Sequence, residues 1–232
     1  MTRSQLDPQF WRRLRLFIFD LDGTLIDSRL DLANSVNATL QEFGFQARPQ
    51  EEIFRYVGRG ASMLIRRSLG HPEDDQLVQR ALAFFLRYYR EHMLDHTVTY
   101  PGVREGLAQL AGNGRVLTVL TNKPERFTRA ILEGLGLGSY FRLVCGADSF
   151  ERKKPHPQGV EAILAQTEIA KTEALVVGDS DVDVLTARNA GLPVCAVTYG
   201  LGRHGLREQP PDLLVDSLLE LAGLVASAAR RT

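Results

Sequence analysis

Short apolar or β-branched runs recur along the 232 residues: LRLFIF at 14–19, VLTVLT at 116–121, RLVCGA at 142–147, ALVVGD at 174–179 and PVCAVT at 193–198. Between the later runs lie PERFTRAILEGLG, PQGVEAILAQTE and SDVDVLTARNAG, each about as long as a crossover helix. Strands that alternate with helices join one sheet only when they run parallel, so this alternation specifies a doubly wound α/β core. DLLVDSLLELAGLVASAAR, at 212–230, adds a short strand and a closing helix. The expected core covers 1–27 and 98–232.

The first crossover does not fit the pattern, because residues 28–97 hold no convincing strand and far exceed what one crossover needs. Within them Leu32, Val36, Leu40 and Phe43 follow helical spacing, as do Leu77, Ala81, Phe84 or Phe85, and Tyr88. Those apolar faces need partners, and the economical arrangement is an inserted α-helical cap domain over 28–97. The chain leaves the core near Asp27 and returns at TYPGV, where Pro101 and Gly102 suit a hinge.

Twenty-eight basic residues balance twenty-eight acidic ones, so no excess positive field exists to hold nucleic acid or an anionic membrane. A small-molecule partner is expected. The opening MTRSQLDPQFWRRLRL has no continuous apolar region, and no stretch approaches the ~18 apolar residues of a spanning helix, which points to a cytoplasmic protein. Cys145 and Cys195 each sit inside an apolar run without a CxxC neighbour, so both are expected as buried, reduced thiols.

In an open parallel sheet, ligands gather at the carboxyl ends of the strands. Asp20 and Asp22 follow the first strand; Thr121 and Asn122 follow the second; Asp179, Ser180, Asp181 and Asp183 follow ALVV. Lys154, in ERKKPHP, comes before a helix on the same expected edge. Carboxylates facing one another repel, and a hard divalent cation removes the conflict; Mg²⁺ suits carboxylates, water and a substrate phosphate. An EF-hand fails on spacing, since it would require glycine where Val184 and Leu25 stand. Zinc is disfavoured because the candidate ligands include no histidine.

DLDGT after an apolar strand, LTN after the second, KKP, and VGDSDVD resemble, in order, the four motifs of the haloacid dehalogenase superfamily. DLDGTLIDSRLDLA, YVGRGASMLIRRSLG and TYGLG are most similar to its bacterial phosphoglycolate phosphatases. The resemblance implies a Mg²⁺-dependent phosphomonoesterase acting on a small phosphorylated metabolite, with 2-phosphoglycolate favoured. It makes Asp20 the nucleophile and Asp22 the general acid and then base. Thr121 and Lys154 would hold the phosphoryl oxygens, and Gly23 would permit the tight turn. Asp20, the Asp22 backbone carbonyl and Asp179 would bind the metal, with Asp183 behind them. Asn122 is carried over as a substrate-binding residue. A phosphomutase, returning the phosphoryl group to a sugar, is the nearest alternative, and a non-catalytic phospho-ligand sensor is a third. Asp22 argues against dehalogenase or phosphonate chemistry, where that position is not acidic.

The core motifs can grip only the phosphoryl group, so selectivity has to come from the inserted segment. In YVGRGAS, Arg59 between Gly58 and Gly60 is the candidate cation for a substrate carboxylate. Arg66, Arg67, Lys153, His92, His96 and His156 are expected to be solvated or structural. GRGASM lacks the third glycine and the preceding strand of a dinucleotide site.

Overall fold

The structure, a computed structural model, describes residues 8–202 and 204–229. In chain order its elements are α1 (Pro8–Arg13), β1 (Leu16–Phe19), β2 (Ile26–Asp27), α2 (Arg29–Glu42), α3 (Gln50–Phe54), α4 (Ala61–Ser68), α5 (Asp75–His92) and β3 (Val98–Thr99). There follow α6 (Val103–Gly112), β4 (Val116–Leu120), α7 (Glu125–Gly134), β5 (Leu143–Cys145), α8 (Gln158–Thr167), β6 (Ala174–Gly178), α9 (Asp181–Ala190), β7 (Val194–Val197), β8 (Leu213–Val215) and α10 (Leu218–Ala229).

Six strands form one sheet in the order β5-β4-β1-β6-β7-β8, every pair parallel. All five expected runs and the short one at 213–215 are strands of it. β1, β6 and β7 are buried along their whole length, as a sheet covered on both faces requires. Side chains alternate between the two layers. Phe17, Phe19, Leu117, Val119, Leu175 and Val177 pack with Leu107 of α6, Ile131 of α7 and Leu221 of α10. On the other face Leu16, Ile18, Val176 and Val194 pack with Ile163 of α8 and Ala187 of α9.

Helices α2 to α5 all fall between the paired strands β2 and β3. These two strands form an antiparallel ribbon, with Ile26 opposite Thr99 and Asp27 opposite Val98. The ribbon carries both crossings between the sheet and the helices. Gly102, with φ +77°, caps the start of α6 just beyond it.

Within the helices, Leu32, Val36 and Leu40 of α2 are buried as expected, while Phe43 follows the helix and is partly exposed. Of the residues expected on the buried face of α5, Ala81 and Phe85 are buried, whereas Val78 and Tyr89 take the places of Leu77 and Tyr88. The doublets in FFLRYY satisfy helical spacing from either member, so spacing cannot choose between them. Docking decides it. Phe85 stacks on Tyr89, whose ring meets Phe127 of α7 edge-on at 5.7 Å, whereas Phe84 and Tyr88 stack on the outer side.

Candidate active site

The turn after β1 is built from one carbonyl. Asp20 N–H still bonds to Val177 in the ladder, but the Leu21 carbonyl then accepts from the N–H groups of Thr24, Leu25 and Ile26. Gly23 occupies φ +87°, and a Cβ there would lie 2.3 Å from Asp179 Oδ2, so only glycine lets the turn close against that carboxylate. The registers complete the site. Phe19 is level with both Val119 and Val177, which brings Asp20, Thr121 and Asp179 to one edge of the sheet.

Two buried lysines divide the carboxylates between them. Lys154 Nζ lies 2.6 Å from Asp20 Oδ1 and 2.6 Å from Asp183 Oδ1. Lys123 Nζ lies 2.8 and 2.9 Å from the two oxygens of Asp22, which also accepts from Ser28 Oγ at 2.5 Å. Burial by itself would lower each ammonium's pKa; the facing carboxylates outweigh it and raise both.

Acidic oxygens of Asp20, Asp179 and Asp183 all come within 4.8 Å of one another. Asp179 Oδ2 accepts from the N–H groups of Leu201 and Gly202. Asp183 Oδ2 accepts from Asp179 N–H, Ser180 N–H and Ser180 Oγ, closing the N-terminus of α9. Burial, followed by repulsion from Asp183 and Asp20, lifts the Asp179 acid well above the ordinary range. Asp20 is raised to about 6, again by burial first, with the Lys154 charge opposing. Three buried carboxylates facing one ammonium form a hard, all-oxygen donor set with negative charge to spare. That chemistry fits a divalent cation such as Mg²⁺. In this geometry the Asp183 side chain stands in the cluster itself, and the Asp22 side chain is turned away toward Lys123.

Thr121 is buried, and its Oγ1 accepts from Lys123 N–H. Asn122 Nδ2 donates to the carbonyls of Gly58 and Lys154, tying the 57–61 loop to the sheet edge. Arg59 does not join these residues: its guanidinium pairs with Asp181 at 2.7 Å, and its carbonyl accepts from Lys153 Nζ. Both contacts cross between the helical segment and the sheet. His96 binds Asp31, and His92 stacks on Tyr88 at the end of α5, so the two histidines do not share a helix face. His156 accepts at Nδ1 from Gln158 N–H, beside the start of α8. Cys145 and Cys195 are buried free thiols, as expected.

Between the sheet edge and the helices lies a cavity of about 50 Å³. Asp20, Asp22, Thr121, Asn122 and Lys123 line one side, and Leu32, Leu64, Phe85 and Tyr89 line the other. Lys123 and Tyr89 were not among the expected site residues. The signal for Lys123 was present, since it directly follows the TN pair at the end of β4; Tyr89 was hidden by the doublet.

Comparison with known proteins supports the family resemblance. The family model "Haloacid dehalogenase-like hydrolase" matches residues 17–197. Phosphoglycolate phosphatase 1 of Pseudomonas aeruginosa is 40% identical over 97% of this chain and 85% of its own. The phosphoglycolate phosphatase of Nitrosococcus oceani is 37% identical over 92% of this chain and 97% of its own. Among solved structures, one described as a predicted phosphoglycolate phosphatase from Haemophilus somnus superposes with a TM-score of 0.85 at 28% identity, covering 91% of this chain and 98% of that one. Among the described residues, no helix is long and apolar enough to cross a membrane.

Proposed function

The chain belongs to the haloacid dehalogenase-like hydrolases, and from that premise we propose that it is a Mg²⁺-dependent phosphatase that hydrolyses 2-phosphoglycolate through an aspartyl phosphate on Asp20. It is a phosphoric monoester hydrolase; substrate, metal and covalent route are the proposal. The observation that carries it is the meeting of Asp20 and Asp22 at one small cavity, each held by its own buried lysine.

Asp20 attacks phosphorus, and the alkoxide of the leaving group takes a proton from Asp22. Asp22 then removes a proton from water as that water attacks the phosphoryl group on Asp20, which regenerates both carboxyl groups. Lys154 and Thr121 hold the phosphoryl oxygens. Asp20, Asp179 and Asp183, with the Asp22 carbonyl, would hold Mg²⁺, which supplies charge neutralisation for the transferring group. Residues 28–97 act as a cap hinged on the β2–β3 ribbon, and the cap's apolar wall keeps bulk water from Asp20.

The test is phosphate release from a panel of phosphorylated metabolites, with Mg²⁺ and with excess chelator. The expected result is a preference for 2-phosphoglycolate that chelator abolishes and Mg²⁺ restores. Undiminished turnover in chelator removes the metal. Interconversion of a sugar phosphate with no net phosphate release identifies a mutase instead.

A further inference from the structure

The cavity contains buried donors that phosphoryl transfer does not use. Lys123 has three N–H donors and is almost fully buried; Asp22 engages it through two oxygens on one side. The ammonium also stands 4.9 Å from the centre of the Tyr89 ring. Tyr89 is itself 1% exposed, and its O–H has no acceptor among the described residues. A buried hydroxyl is rarely left in that state, because nothing replaces the water it gave up. Lys123 and Tyr89 are both lining residues of the cavity that Asp20 also lines.

We propose that Lys123 and Tyr89 form the subsite that recognises a second anionic group on the substrate, a carboxylate one or two carbons from the phosphoryl ester. This rests on the phosphatase reading above and supplies the handle by which a small acid phosphate is chosen. The carboxylate accepts from the Tyr89 hydroxyl and from Lys123 Nζ, while Asp22 keeps its pair with the same ammonium. Much of the remaining wall is apolar, from Leu32, Leu64, Phe85 and Phe127, with Gly58, Gly60 and Asn122 also lining it. Arg59, the cation expected from sequence, is not among the residues lining the cavity and is held by Asp181.

The experiment compares kcat/KM for 2-phosphoglycolate and for ethyl phosphate, which matches its length but lacks the carboxylate. It uses the full chain with Mg²⁺, as wild type, Tyr89→Phe and Lys123→Met, with thermal melts to confirm folding. Lys123→Met also strips Asp22 of its partner and slows both esters, so the readout is the ratio of the two specificity constants. Wild type should favour the acid, and the ratio should fall about tenfold or more in each variant, chiefly through KM, because what is removed is binding. A selective wild type whose ratio survives within threefold in either folded variant overturns the subsite and leaves the phosphatase assignment standing. A wild type that treats the two esters alike overturns the substrate assignment itself. Should Lys123→Met not fold, Tyr89→Phe decides alone, because it keeps the Lys123–Asp22 pair.

Discussion

Lys154→Met tests the electrostatics of the site independently of turnover. The ammonium is the shared partner of Asp20 and Asp183, at 2.6 Å from each, and all three side chains are at most 10% exposed. Methionine preserves most of the volume but leaves Asp20, Asp179 and Asp183 facing one another with no cation. Breaking a buried pair by removing one member costs ~3–5 kcal/mol, mostly as the penalty of the charge left behind. For a chain of this size each kcal/mol is worth ~2–4 °C in melting temperature, so the variant in excess chelator should melt ~6–20 °C below wild type. A divalent cation binds only the folded carboxylate cluster, and at a hundred times its dissociation constant it returns ~2.7 kcal/mol. The variant has more uncompensated charge to neutralise, so Mg²⁺ should raise its melting temperature more than it raises that of wild type. Scanning fluorimetry or urea titration with and without Mg²⁺ measures both effects, and phosphate release should fall ~10²-fold or more. Lys153→Met is the control: among the described residues its exposed ammonium donates to the Arg59 carbonyl alone, and the change should stay within ~0.5 kcal/mol. The same loss with and without Mg²⁺, or a loss no larger than the control's, would refute the cluster as the place where cation and lysine share the charge.

Further outcomes follow from the same geometry. Asp20 binds its proton more tightly when folded, at about 6 against 3.8 unfolded, so its contribution favours the folded state at low pH and is lost as pH rises through that window. In chelator, Asp20→Asn should therefore gain stability relative to wild type between pH 4 and 6, and a pH-independent difference in urea midpoints would contradict the burial argument. Gly200→Ala would set a Cβ 2.2 Å from Asp179 Cβ, so it should cost ~1–3 kcal/mol and weaken Mg²⁺ binding measured by calorimetry; unchanged affinity would show that Asp179 does not bind the metal. Arg59→Ala removes a largely exposed pair with Asp181 and should destabilise by under ~1 kcal/mol, with KM for 2-phosphoglycolate and for ethyl phosphate rising by the same factor. A rise confined to 2-phosphoglycolate would return Arg59 to the substrate.

The sheet was legible because each parallel strand is buried on both faces and reads as an unbroken apolar run, as in LFIF and ALVVG. Polar residues that end such a run must lie at the carboxyl edge, which is why Asp20, Thr121 and Asp179 could be assigned to one place from their neighbours alone. The β2–β3 ribbon could not be read this way. Two-residue strands have no periodicity, and Ile26 and Thr99 find each other only because both ends of the helical segment return to the same point on the sheet. The carboxylate cluster was partly legible, since chain order brings Asp183 close to Asp179. Which oxygen faces which was not, because the Ser180–Asp183 capping box and the Lys154 bridge together aim the Asp183 side chain.

Tyr89 marks the limit of periodicity. A helix spaced as FFLRYY can bury either of two stripes at similar cost in apolar area, so the choice falls to what the helix docks against. Here the docking partner is the start of α7, where Phe127 meets the Tyr89 ring edge-on and the Lys123 ammonium stands over its face. A cation over an aromatic face in a dry site gains more than one in water, and that preference favours Tyr89 over Tyr88 on the inner stripe. Tyr89 is thereby a lining residue of the cavity, and its O–H has no acceptor among the described residues. The feature that fixes the register of α5 is thus the one that equips the site with an unused donor. Reading Lys123 only as the residue after a strand-end TN pair shows neither consequence, because both arise from its contact with Tyr89 on α5, which precedes it in the chain by β3, α6 and β4.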